Sequence, residues 1–145
     1  MFKILVVPID GSDHASKAVD IATDLADKYD ARLLLLNVYK PTVAMENTHS
    51  MVRASGLSPE DAMRDLARET VHEAGERARA RGARQLQTFV VQGPIARTIV
   101  DFARDQRADA IVMGSRGLGD VSGLLLGSVS HKVSHLAACT CIMVK

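Results

Sequence analysis

The chain has 145 residues, 47% of them hydrophobic and 24% charged, with a formal net charge of +1. That length suits one compact domain, residues 1–145, burying roughly 70% of its unfolded-chain surface, and leaves no room for a second. Acids and bases are interspersed, so no basic field able to hold nucleic acid by counterion release is expected.

The opening run MFKILVVPID is too short to span a membrane and carries Asp10 where a signal peptide needs small residues. A cytoplasmic protein is expected. Residues Phe2 to Ile9 form a first β-rich apolar run. After a Ser12/Asp13 cap, Ala15, Ala18, Val19, Ala22, Leu25 and Ala26 recur at helical spacing, and Leu33 to Val38 is a second strand. Lys40 to Leu57 shows no period and reads as one long loop, a type that often serves as a lid or partner surface. A second helix starts at Ser58-Pro59-Glu60-Asp61 and stops at Gly82. Leu86 to Val91 is the third strand. A helix from about Pro94 to Asp105 turns Ile95, Ile99, Val100 and Ala103 inward, Ala110 to Met113 is the fourth strand, and a last helix runs from Ser128 to about Ala137. Thr140 to Val144 closes the series. Most strands are apolar at both parities, as strands covered on both faces are, and strand alternates with helix throughout. Right-handed crossovers then give an α/β fold with one doubly wound parallel sheet of five strands and helices on both faces.

The stretch Gly114 to Ser128, GSRGLGDVSGLLLGS, sets glycines in the pattern Gly-x2-Gly-x9-Gly-Ser. It links the end of the fourth strand to the start of the last helix. Backbone N–H groups approach an anion closely where no Cβ intervenes, and a helix start adds unpaired donors and the positive end of its dipole. Nucleotide phosphate suits this chemistry. Plain turn glycines are the competing reading of Gly114 and Gly117, but a turn alone does not require Gly127-Ser128 at the next helix start.

In an open parallel sheet, ligands bind beyond the carboxyl ends of the strands where strand order reverses. With the order 3-2-1-4-5, Asp10 at the end of strand one faces the glycine loop across the crevice, and Val38 lines the other side. Gly114, Gly117, Gly127, Ser128, Val129 and Ser130 then offer N–H or hydroxyl donors to phosphates, with Arg116 as the nearby cation. Pro8, Val38 and Met113 wall the base. Asp10 takes a hydrogen bond from ribose or base, or holds a divalent cation bridging to phosphate, or is no more than a helix N-cap group. The sequence leaves these open.

Other motifs are missing. No G-x4-G-K-[ST] occurs, which removes a Walker-type NTPase and the lysine that would stabilise a transferring phosphate. Gly117, Gly119 and Gly123 miss the G-x-G-x-x-G spacing by one residue, and no G-x-S-x-G elbow supplies a hydrolase nucleophile. Cys139 and Cys141 read as buried small hydrophobes, because residues two apart on a strand do not easily reach disulfide geometry. His131 and His135 sit four apart on the last helix without a third metal ligand, and His14, His49 and His72 carry no signal.

The runs VVPIDGS, LLNVY and ADAIVMGSRG, followed by LLLGSVSHKV with nine residues between Gly117 and Gly127, resemble the universal stress protein family over nearly the whole chain. The glycine pattern is similar to the one that distinguishes the family's ATP-binding branch. The resemblance implies an adenine nucleotide alpha hydrolase-like fold, ATP with Mg as ligand, homodimers through antiparallel pairing of the final strands, and a cytoplasmic role in stress survival. By position it assigns nucleotide contact to Pro8, Asp10, Val38, Met113, Gly114, Arg116, Gly117, Gly127, Ser128, Val129 and Ser130. Two departures stand out: Gly93-Pro94 replaces the usual Gly-Asp-Pro, and Ala138-Cys139-Thr140-Cys141 lacks the customary prolines. The dimer has a physical reason as well, because a lone copy leaves the apolar strand Thr140 to Val144 as an open edge. The expected function is an ATP-binding regulatory or stress-survival module with slow hydrolysis at most. The alternatives are a weak ATPase or adenylate-transferring enzyme with a metal on Asp10, and a nucleotide-free interaction module.

Overall fold

Strands apolar at both parities need cover on both faces, and the sheet has it. The computed structural model describes residues 1–40, 56, 58–119, 123 and 126–145. Apart from Lys40 and Gly56, the expected loop from Lys40 to Leu57 lies outside the described residues. The sheet consists of β1 (Ile4–Pro8), β2 (Arg32–Tyr39), β3 (Leu86–Gln92), β4 (Ala110–Gly114) and β5 (Thr140–Val144). The order is β3-β2-β1-β4-β5, and every neighbouring pair is parallel. This is the order and direction expected from the sequence.

The period of two is visible along β1. Leu5 and Val7 pack with Leu33, Leu35 and Val112 on one face, whereas Val6 joins Leu34, Leu36, Ile111 and Met113 on the other. The first face is covered by α1 (Asp13–Tyr29) and α2 (Pro59–Ala80), the second by α3 (Ile95–Asp105) and α4 (Ser128–Leu136). Buried alanines at 15, 18, 22 and 26 let α1 lie close to the sheet.

Local signals set the helix ends. Ser12 Oγ accepts from Ala15 N at 3.2 Å and Ser58 Oγ from Asp61 N at 3.0 Å, and Pro59 opens α2. Past α2, Gly82 adopts φ +103°, which a side chain would resist. Three arginine–aspartate pairs tie α2 and the chain just past it to α1: Arg77 to Asp20 at 2.6 Å, Arg81 to Asp24 at 2.8 Å and Arg84 to Asp27 at 2.9 Å. Their constant offset of 57 residues means that α1 and α2 run side by side in the same direction. Exposed pairs of this kind add little to stability and serve chiefly as registration. No helix among the described residues is long and apolar enough to cross a membrane.

At the amino end of the sheet, Asp109 Oδ2 accepts from Lys3 N at 2.7 Å and Ile4 N at 2.9 Å, fastening the start of β1 beside the start of β4. Those two backbone donors hold its carboxyl below the usual carboxylate range. A depressed folded-state pKa stabilises the fold above the unfolded value of about 3.9, and that contribution is lost as pH falls through the folded value. Asp109→Asn is therefore expected to lower the unfolding free energy at neutral pH by about 1 kcal/mol, after discounting for solvent screening. Urea titrations near neutrality and in the acid range check this. The gap between wild type and variant should narrow in acid, and a constant gap would contradict the assignment.

Candidate functional site

At the carboxyl edge, the chain after β1 turns into α1 on one face while the chain after β4 leads to α4 on the other. Because β1 and β4 are neighbours, a crevice opens between them. On the β1 side, Ile9 N donates to Leu36 O at 2.8 Å, and the buried Asn37 side chain donates through Nδ2 to Ile9 O at 2.8 Å. These bonds hold the chain beside β2 for one residue past the strand. It then turns through Gly11, at φ +83°, with Ser12 N donating to Asp10 Oδ1 at 2.9 Å. The helix cap is thus Ser12, and Asp10 shapes the turn that precedes it.

On the β4 side, a Cβ at Gly114 would lie 2.7 Å from His14 Cβ, 2.8 Å from His14 C and 2.9 Å from Ala15 N. Backbone blocks the space, so β4 can pass the first turn of α1 only as glycine. Further on, Gly127 is the N-cap of α4 in extended conformation and has no side-chain cap bond. The first helical bond runs from His131 N to Gly127 O at 2.9 Å, so the N–H groups of Ser128, Val129 and Ser130 have no partner within the helix.

A cavity of about 380 Å³ occupies the crevice, within the range of small-molecule sites. Pro8, Asp10, Val38, Met113, Gly114, Arg116, Gly117, Ser128, Val129 and Ser130 all line it. Gly127 is buried and is not part of the lining. Its N–H donates to Ser115 O at 2.6 Å, and the Ser130 hydroxyl donates to the same oxygen at 2.7 Å. The Gly127 N–H and the Ser130 hydroxyl, both expected from the sequence as donors to a ligand, are thus engaged by the Ser115 carbonyl. Among the described lining residues, Asp10 and Arg116 are the titratable side chains.

Sequence reasoning passed over Leu36, Ile95 and Ile99, which also line the cavity. Ile95 and Ile99 carried a signal, their four-residue spacing, but it is the spacing of any inward helix face. His14 was passed over too. Its Nδ1 lies 3.1 Å from Ser115 Oγ, a distance that suits a nucleophile and its base, yet Ser115 is 1% exposed and does not line the cavity. His131 and His135 are exposed on α4, and the described residues hold no group of three metal-ligating side chains. Cys139 and Cys141 are free and half-buried, with burial pushing both thiols above their ordinary pKa.

Sheet order and crevice together define the adenine nucleotide alpha hydrolase-like class of α/β fold. Within that class, the chain matches the universal stress protein family over residues 1–145 and belongs to it. It is 35% identical to universal stress protein YxiE of Bacillus subtilis over 152 aligned positions, covering all of both chains. Among solved structures, universal stress protein UspA from Lactobacillus plantarum superposes with a TM-score of 0.81 at 26% identity, over 99% of this chain and 98% of that one. A universal stress protein in complex with cAMP gives a TM-score of 0.71 at 28% identity, over 99% and 96%.

The glycines separate by substitution. Gly114→Ala forces backbone apart and should cost about 1–3 kcal/mol of stability, whereas a Cβ at Gly119 meets nothing within 4 Å. Thermal unfolding of both variants tests this. Equal melting temperatures would remove the steric account of Gly114.

Proposed function

We propose that the chain binds ATP, with Mg, in this cavity and acts as a nucleotide-responsive module of a cytoplasmic stress response. The observation that carries the reading is the contrast between the two sides of one cavity. On the β4 side stand Arg116 and the first-turn amides of α4, a fixed positive region suited to phosphates. On the β2 side, Leu36, Val38 and Ile95 offer an apolar wall for a base. Asp10, at the end of β1, stands between them, where a ribose hydroxyl or a metal bridging to phosphate would meet a carboxylate.

The cAMP complex of the 28% identical relative supports an adenine nucleotide and motivates a second reading, a cyclic mononucleotide. Arg116 and three amides match a single phosphate as well as they match the terminal part of a longer chain. Either way the reading is of a binding module. The described lining has no lysine, histidine or glutamate to protonate a leaving group or stabilise a transferring phosphoryl, which favours holding phosphates over moving them.

The same reading includes a homodimer. β5 is a sheet edge on which Cys141, Ile142 and Met143 are only half-buried, and antiparallel pairing with a second copy would cover them. Light scattering after size exclusion should give twice the chain mass at micromolar concentration, and a monomer there would remove the dimer.

Calorimetric titration with Mg-ATP and, separately, with cAMP tests the ligand. Binding is expected near micromolar Kd for the preferred nucleotide, and Gly127→Val should weaken it at least about tenfold by placing a branched side chain at the N-cap of α4, next to the amides. Asp10→Ala separates the roles of the carboxylate: loss of Mg-dependent affinity alone would assign it to the metal. Absence of binding to both nucleotides would overturn the proposal.

A further inference from the structure

We propose that Ser115 is a positioning residue, which His14 holds in place so that the start of α4 presents its first-turn amides to the cavity. The inference rests on the nucleotide reading above and deepens it.

Ser115 uses all of its polar groups on three different elements. Its N–H donates to Val144 O of β5 at 2.7 Å, and its carbonyl accepts from Gly127 N at 2.6 Å and Ser130 Oγ at 2.7 Å at the start of α4. Its hydroxyl meets His14 Nδ1, in the first turn of α1, at 3.1 Å. The residue is 1% exposed, so water cannot stand in for any of these partners.

The way α4 is anchored differs from α1 and α2. In those helices a serine hydroxyl takes an amide inside the first turn, that of Ala15 or Asp61. A cap of that kind uses a donor that a ligand would otherwise receive. At α4 the anchor falls three residues earlier, on the N–H of the N-cap Gly127 itself, and the acceptor is the Ser115 carbonyl. The helix start is fixed while the amides of Ser128, Val129 and Ser130 stay available. That carbonyl follows directly on Gly114, which lies against the His14 backbone for want of a Cβ, so its direction depends on how the backbone at Ser115 is held. The Ser115 hydroxyl is the side-chain tie that holds this residue to α1, and His14 is its partner.

Two measurements test the assignment in the full chain. In the nucleotide-free protein, Ser115→Ala should speed amide hydrogen exchange at Gly127 by about three- to tenfold, the weight of one hydrogen bond. In Mg-ATP titrations, Ser115→Ala and His14→Ala should each raise Kd by about three- to tenfold, and the double variant no further, because both remove one bond. His14→Asn, which puts an amide atom at the same bond separation from Cβ as Nδ1, should restore affinity. Unchanged exchange at Gly127, or a wild-type Kd in Ser115→Ala with only a lower melting temperature, would overturn the inference. If wild type binds no nucleotide, the functional reading falls, and the exchange experiment alone still decides whether Ser115 positions α4.

Discussion

Where β4 ends, its backbone passes the first turn of α1 so closely that a Cβ on Gly114 would sit 2.7 Å from His14 Cβ. Much of the carboxyl edge depends on that approach. It brings two segments about a hundred residues apart into one wall and delivers Ser115 directly beside His14. Beside it lies the crevice, lined by Asp10 from the chain after β1 and by Arg116 from the chain after β4. Alanine-rich packing of α1 on the sheet makes the approach possible, since a helix standing further off would leave the end of β4 unsupported.

Charge is distributed accordingly. The arginines beyond the crevice include several tied to aspartates, as Arg77, Arg81 and Arg84 are across α1 and α2. In the described lining of the cavity, Arg116 is the one cation, and the rest of the positive character comes from peptide dipoles at the start of α4. Amides differ from lysines in being fixed and directional. They need no side-chain ordering on binding, and they cannot follow a phosphoryl group as it moves from one oxygen to another. In the nucleotide reading proposed above, a phosphate site built on such amides would favour retention over transfer.

Strand and helix positions were legible because each depends on neighbours in sequence. The apolar runs, most of them double-sided, matched all five strands to within two residues at either end, and Ser12, Ser58 and Gly82 marked helix ends where they stand. Asn37, Ser115 and His14 were not legible. Each is a polar residue whose partner lies far away in sequence: Asn37 reaches back 28 residues to Ile9, and His14 meets Ser115 across 101. No local period marks such pairs. Ile95 and Ile99 failed for a different reason, since a cavity wall and a core face present the same spacing.

The glycine pattern shows where motif reading and physical reading part. In sequence its members look alike, three residues without a Cβ around one phosphate. In the structure Gly114 answers to helix packing, and Gly127 answers to an anchor on the Ser115 carbonyl. Of the three, Gly114 and Gly117 line the cavity while Gly127 lies behind it. Gly114 and Gly127 thus meet unlike backbone constraints, one at the end of β4 and one at the N-cap of α4. A side chain at Gly114 should accordingly fail through the fold, where one at Gly127 acts at the helix start.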